Sequence, residues 1–374
     1  MSVRLPRNCF FKKRWVLFLW GCLSLTVSAA DILVVSNSPE RLSGPMSLFM
    51  YPVPAGRSLR LLYHHKNVTS IPLRFVITAK STSGPGKMAS LLAFAGPVLD
   101  EVFVGHKAVA RYWEQAPRKK TVLSLDTTEK ELLAVMIKPG EIVSGIFESE
   151  ADVDTVFEAR VIDPEYPEAS YAVMARQITP MVYLAPTIVK EVAYRVGDVV
   201  GEIPIGGMPF VKNPLSEYPL KGNYGVIYKI HATLENPDMV SRRVSLLFSP
   251  LGGIARAVVR LDGAQLIQTG NVGGTGFPNV VEMLHVTLRS KSKKNLILEV
   301  MPQSGSYYPV HLVLRSDGPS TMMGIETSQS EGETSTNGAG GAHDVWVRPN
   351  GVAESGVKDT IMTVKVQEVV NNGY

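Results

Sequence analysis

The sequence predicts an all-β fold made of two antiparallel β-sandwich domains, the first with one inserted helix. Three observations carry that expectation. Apolar and polar residues alternate with a period of two through most of the chain after residue 31, as strands with one buried face require. Gly-, Pro-, Asn- and Asp-containing turn signals break the alternation into short strands, the spacing of an antiparallel sandwich. A single segment has helical periodicity instead.

The first thirty residues stand apart. Arg4, Arg7, Lys12, Lys13 and Arg14 precede an apolar run from Trp15 to Val27, and the small residues Ser28, Ala29 and Ala30 follow. This order is the layout of a secretory signal peptide cleaved after Ala30. The apolar run is shorter than the ~20 residues of a membrane-spanning helix. Leu19-Trp20-Gly21-Cys22 partly resembles a lipidation site, but bulky Trp20 sits where such a site takes a small residue, so cleavage after Ala30 is favoured over lipidation at Cys22.

Five of the chain's 38 basic residues lie in this leader, leaving 33 against 34 acidic ones. The excess of positive charge therefore belongs to export and argues against a nucleic-acid partner. Both cysteines, Cys9 and Cys22, are also in the leader, so the mature chain must be held together by apolar packing without disulfides.

Residues 31–165 are expected to form the first sandwich. Leu59, Leu61 and Tyr63 alternate with Arg60, Leu62 and His64, and a turn over Asn67–Pro72 leads to a strand at Leu73–Thr78. The segment from Asp100 to Ala116 puts Val102, His106, Val109 and Trp113 on one helical face, with Asp100 as cap and Pro117 as stop. This helix, near 100–116, is expected to cover an edge or end of the sandwich. Further strands follow at Leu132–Lys138, Ile142–Glu148 and Thr155–Ile162, the first two joined by a Pro139-Gly140 turn.

Residues 166–221 are rich in proline and glycine and read as a connecting region, with Ala172–Gln177 and Ile188–Val196 as strand candidates. The second sandwich is expected over 222–374. Its strands run from Val226 to Glu235, through Val244, Leu246 and Phe248, and along Ile254–Leu261, with a two-residue turn at Asp262-Gly263. Strands at Val280–Arg289, Leu296–Met301 and Val310–Arg315 complete it, with Lys291–Asn295 as a hairpin loop. A Ser-, Gly- and Thr-rich excursion near 316–341 is expected to be mobile, and a last strand around Met362–Val366 to return to the sandwich. Leu62–Ile77 and Lys229–Phe248 echo one another, each reading as strand, Asn-centred corner, strand.

The segments Leu234–Gly253 and Ile137–Phe147 carry an Asn-containing corner and a Pro-Gly-Glu turn between strands. In these features they resemble hairpins of immunoglobulin-like modules in bacterial secreted and surface proteins. The resemblance is architectural and implies two immunoglobulin-like sandwiches with a binding or spacer role.

Catalytic signatures are sparse. His231, His285 and His311 fall on the outward faces of their strands, and as neighbours they could offer three nitrogen ligands to zinc. An outward polar face explains them equally, and no HExxH or close cysteine pair accompanies them, so neither metal nor cofactor is expected. Asp152 with Asp154 and Glu148 with Glu150 are paired carboxylates, but each pair is clustered in sequence as solvated turn residues are. The S-x-x-K spacings at Ser290–Lys293 and Ser355–Lys358 lie in expected loops, and no GxSxG elbow occurs. Gly270–Asn279 is glycine-rich but lacks the Lys-Ser/Thr of a phosphate loop.

Phe277 at the tip of that loop, together with Tyr307, Tyr308 and Trp346, are the residues expected to contact a partner or stack on a sugar. The Asn67-Val68-Thr69 sequon matters only in a host that glycosylates exports. The expected function is a secreted, non-catalytic binding, adhesion or structural module of the bacterial envelope or exterior, with an extracellular protein or glycan as partner. The alternative is an extracytoplasmic carbohydrate-binding protein or glycan-acting hydrolase. A binding module should carry an exposed aromatic patch or a glycine-rich loop cluster at one sandwich end.

Overall fold

The structure, a computed structural model, describes residues 32–38, 40–116, 120–167, 181–184 and 186–317. Trp346, Pro117, the expected strand around Met362–Val366 and nearly all of the 316–341 excursion lie outside the described residues, as does the leader.

The first half of the chain forms β1 (Ile32–Ser36), β2 (Arg41–Leu42), β3 (Met46–Val53), β4 (Ser58–Asn67), β5 (Leu73–Ser81) and β6 (Gly86–Val98). Helix α1 (Glu101–Gln115) follows, then β7 (Thr121–Leu125), β8 (Lys130–Ile137), β9 (Ile142–Ala151), β10 (Thr155–Ile162) and β11 (Met181–Leu184). A seven-stranded sheet runs β11-β1-β4-β9-β6-β7, with β2 also on β4, and a four-stranded sheet β3-β10-β5-β8 faces it. Leu59, Leu61, Tyr63, Phe75, Phe147 and Phe157 belong to the core of this sandwich.

The second half forms β12 (Thr187–Arg195), β13 (Gly201–Ile205), β14 (Ile227–Asn236), β15 (Arg242–Pro250), β16 (Val258–Leu261), β17 (Gln265–Gln268), β18 (Val281–Leu288), β19 (Ser292–Val300) and β20 (Val310–Ser316). These make a five-stranded sheet, β12-β14-β19-β16-β17, and a four-stranded one, β13-β20-β15-β18. The fold is thus all-β and sandwich-like, antiparallel except where β1 and β2 meet β4 and where β12 meets β14.

The two sandwiches repeat one topology. Taken in chain order, β1, β3 and β4–β10 correspond one to one to β12–β20, and every pairing among these strands in the first sandwich recurs in the second, including the parallel first strand; β2 and β11 have no counterpart. The correspondence extends to single residues. Asn67 ends β4 and Asn236 ends β14, and each side-chain amide donates to the carbonyl four residues on, Ile71 or Val240. Each also donates to a neighbouring strand or its end, at Ile137 or at Leu288. Each side-chain oxygen accepts from the amide two residues on, Thr69 or Asp238. Ten residues beyond each asparagine the register shifts by a bulge, after Ile77 in β5 and after Leu246 in β15.

Several expectations change. The interval 166–221, read as a connection with Ile188–Val196 as a strand candidate, holds that strand as β12, and it also supplies β11 to the first sandwich and β13 to the second. The turn after β18 is tighter than a loop over Lys291–Asn295, because Lys291 adopts a left-handed conformation (φ 51°) and lets β19 start at Ser292. Across Asp262-Gly263, both at positive φ, the Ala264 amide bonds the Leu261 carbonyl, as the sequence predicted.

The largest change concerns β4. Its supposed outward residues Arg60, Leu62 and His64 are buried, because α1 and the second sandwich cover that face of the large sheet. The helix lies over the face at β6 and β9, between the two sandwiches, and not at an edge. Asp100 caps it by accepting from the Phe103 amide at 2.9 Å.

The arginines buried at this joint are paired, whereas the Trp113 indole N–H finds no hydrogen-bond acceptor. Arg60 on β4 pairs with Glu148 on β9 at 2.7 Å. The same guanidinium donates to the carbonyls of Pro186 and Gly225, at the approach to β12 and β14. Tyr112 of α1 donates to Glu148 at 2.8 Å. Trp113, the next residue, lies under Arg260, whose guanidinium carbon is 4.3 Å from the ring centroid and which pairs with Glu299 at 2.6 Å. Glu148 and Glu299 occupy equivalent positions, facing Arg60 and Lys229 respectively, each seven residues before its asparagine.

Candidate functional site

Because the two sandwiches share a topology, their connections can be compared one by one. In the first, the links β3–β4, β5–β6, β7–β8 and β9–β10 span only 54–57, 82–85, 126–129 and 152–154. Their equivalents in the second span 206–226, 251–257, 269–280 and 301–309. Alternating strand directions put all four of these long links at the same end of the second sandwich. On a repeated scaffold, insertions gathered on one face are the natural place for recognition.

The four links brace one another. The Gly225 amide bonds the Pro302 carbonyl, Tyr307 bonds Ile254, and Ala255 exchanges bonds with Val272. Tyr224 donates to Ser306 at 3.0 Å and packs edge-on against Tyr308, ring centroids 5.9 Å apart. The segment 206–226 is stiffened by Asn213, whose side-chain oxygen accepts from the amides of Leu215 and Ser216.

One side of this loop end is the joint with the first sandwich. Away from that joint the links carry exposed apolar side chains, beside the exposed Lys212–Glu217 ion pair. Leu215 is 95% exposed, Met208 81%, Tyr307 64% and Leu251 57%. Tyr218 and Phe277 are exposed as well. Side chains of this kind held on a braced backbone lose little freedom when a partner covers them.

The expected contact residues divide. Phe277 and Tyr307 fall at this end, on neighbouring loops. Gly253, at φ +62°, lets the Tyr307 ring lie against the main chain: a Cβ there would stand 2.5 Å from the ring carbons. Tyr308 turns inward, half-buried, donating to the Arg256 carbonyl at 3.4 Å. Burial raises its hydroxyl pKa, with the Tyr224 hydroxyl adding to the shift.

The histidines are separated. His231 lies on β14 of the five-stranded sheet, while His285 and His311 lie on the opposite sheet, in β18 and β20. Each has its own carboxylate, from Glu191, Glu282 and Glu202 respectively. Among the described residues no group of three or more His, Cys, Asp or Glu is placed to hold a metal ion.

The paired carboxylates serve the first sandwich. Asp152 accepts from the Lys87 amide, Asp154 from that of Ala55, and Glu148 sits in the Arg60 pair. Lys293 pairs with Glu235, across the β14–β19 ladder.

Met208, Leu215, Tyr218 and Leu251 were not singled out from the sequence. Aligning the two halves on Asn67 and Asn236 and comparing loop lengths would have located them.

No protein-family model matches the chain, and no curated protein matches it. Among solved structures, the CUB1-EGF-CUB2 domains of rat MASP-1 match at a TM-score of 0.18 and 10% identity, covering 74% of this chain and 99% of that one. The N-terminal CBM22-1-CBM22-2 tandem domain of Paenibacillus barcinonensis Xyn10C matches at a TM-score of 0.13 and 8% identity, covering 67% and 74%. Likeness at this level carries no argument about function.

Proposed function

We propose that the chain is an exported, non-catalytic binding or adhesion protein of the bacterial envelope or exterior, and that it recognises its partner with the open side of the loop end of the second sandwich. The observation that carries this reading is the asymmetry between the repeats. Four links that are tight turns in the first sandwich are long, mutually braced loops in the second, and they hold Met208, Leu215, Leu251 and Tyr307 in solvent. Large exposed apolar side chains gathered at one end of a domain favour an interaction site there. Export rests on the leader layout of residues 1–30.

The partner class is a protein or a glycan, and both are tested together. The purified protein is applied to immobilised envelope proteins and to a glycan array. The double variant Leu251→Ser with Tyr307→Ala is expected to weaken retention at least tenfold. Met239→Ser, at the opposite end of the same sandwich, is expected to leave it unchanged. Equal retention by all three forms would remove the loop end as the recognition surface. Finding Asp31 at the N-terminus of the exported protein supports cleavage after Ala30; a lipidated Cys22 would show an anchored protein instead.

A further inference from the structure

We propose that the outer edge of β12 is a strand-acceptor site, and that its occupant is this chain's own segment Ile361–Val366, added antiparallel to β12. The proposal is independent of the loop-end reading and concerns a different surface of the second sandwich.

The repeat leaves two equivalent edges unequal. In the first sandwich the outer edge of β1 carries β11, antiparallel, with Leu33 opposite Tyr183 and Val35 opposite Met181. In the second, β12 takes the place of β1, yet among the described residues no strand pairs with its outer edge. The Val196 amide bonds the Glu235 carbonyl of β14, and the Arg195 amide turns the other way, to the Asp198 side chain. By the alternation of a strand, the main-chain groups of Val189, Glu191 and Ala193 face that open edge. Such a row is a template for an added strand.

Side chains record the same difference. Ile32 and Ile188 lie opposite Leu59 and Tyr228, which fall at the same distance before Asn67 and Asn236, so they are equivalent. Ile32, Val34 and Ser36 of β1 are buried. Their counterparts Ile188, Lys190 and Val192 are only half-buried, although Ile188 and Val192 pack on the core.

Three observations select the occupant. The next described strand after β10 is β11, and β20 is the equivalent of β10, so the chain beyond β20 is the counterpart of β11. That chain departs from the right place. The Ser316 amide donates to the Tyr194 hydroxyl at 2.8 Å, and the Gly197 amide to Ser316 Oγ at 3.4 Å. Residue 317 therefore leaves beside the C-terminal end of β12, where an antiparallel strand has to begin. Finally, within 318–374, outside the described residues, Met362, Val364 and Val366 alternate with Thr363 and Lys365. Val345-Trp346-Val347, a shorter apolar stretch, is cut off by Pro349. With Met362, Val364 and Val366 turned to Ile188 and Val192, Thr363 and Lys365 fall on the exposed side with Glu191.

Lys190 does not bar this strand. Its ammonium donates to the Pro204 carbonyl of β13, in the opposite sheet, at 2.8 Å. An inward lysine on an edge discourages chance pairing between molecules, whereas a tethered segment acts at an effective concentration of about a millimolar.

Hydrogen exchange of the intact protein, read by mass spectrometry on the peptides covering β12 and β19, tests this against the double variant Val364→Asp with Val366→Asp. Those carboxylates would face the core from the added strand. Exchange in β12 is expected to be at least tenfold faster in the variant, with β19 unchanged. Equal exchange in the two forms overturns the proposal, as does the same acceleration in β19, which would report general loosening. Cysteine cross-links locate the pairing. In a chain with Cys9→Ser and Cys22→Ser, Ala193→Cys is combined in turn with Ile361→Cys, Thr363→Cys and Lys365→Cys. At least one pair is expected to form an intramolecular disulfide under mild oxidation, and none is expected when Gln265→Cys, on β17 at the far edge of the sheet, replaces Ala193→Cys. Disulfides at both edges or at neither overturn the proposal. Disulfides formed only between molecules also overturn it, because the occupant would then be a second copy's segment.

Discussion

Single buried polar residues set the corners of this protein. Asn67 and Asn236 are almost fully buried, and each amide closes a corner that four-residue turn chemistry alone would leave open. Replacing either by alanine strands buried carbonyls and an amide, at a cost of roughly 2–4 kcal/mol. Chemical denaturation of Asn67→Ala and Asn236→Ala should show similar losses, and a loss in only one would break their equivalence. The same burial decides the fate of the Asn67 sequon: its amide is committed to Ile71 and Ile137, so the folded protein offers no acceptor for a glycan. Glu148 is the sharper case. It neutralises Arg60 at the joint and accepts from Tyr112. Glu148→Gln would leave a buried cation without its anion, and a destabilisation of about 3–5 kcal/mol is expected in urea melts.

At the scale of elements, α1 shows how a local rule yields to packing. A glycine inside a helix costs about 1 kcal/mol relative to alanine, yet Gly105 sits mid-helix. A Cβ there would stand 1.8 Å from the Ser304 carbonyl oxygen, so only glycine lets the helix touch the link 301–309. Gly105→Val should therefore push the second sandwich off the helix rather than merely lower helix content. Far-ultraviolet circular dichroism is expected to stay near native while protease cleavage appears between the sandwiches; unchanged protease resistance would mean the joint tolerates the displacement. The helix itself was legible, cap included, because Asp100 and the spacing of His106, Val109 and Trp113 are local signals. Its position was not: the apolar stripe says that a face is covered, but not by which sheet. Strand β1 lacks a local signal for a related reason. All five residues of β1 are buried, so it lacks the two-residue alternation that marks a half-exposed strand.

For the molecule as a whole, the joint carries two buried histidines and so couples stability to pH. Burial holds His64 down to about 4, with Lys66 adding to the shift and Glu101 opposing it. Burial also holds His106 to about 4, with Arg256 adding to the effect. Both rings are thus neutral in the folded chain over a range where the unfolded chain binds protons. Their contribution is fully present above about pH 6.5 and is lost as pH falls from there towards 4, amounting to roughly 2–3 kcal/mol for each. Urea midpoints should fall steadily across that window, and His64→Gln should flatten the fall. A pH-independent midpoint between 6.5 and 4 would contradict the burial of these rings.

The sequence by itself determined the fold class, most strands of the second sandwich and the echo between Leu62–Ile77 and Lys229–Phe248, because these depend on periodicity, turn chemistry and composition within short windows. Phe277 and Tyr307 could be nominated as contacts, since aromatic residues beside glycine-rich turns are visible in one dimension. Only the tertiary structure decided that nine strands of each half share their pairings, that Arg60 and His64 are interior, and that four long links gather at one end. Those facts arise from which faces meet. A strand's pattern records that it has a buried side, whereas what lies across from that side is fixed by packing between residues more than a hundred positions apart.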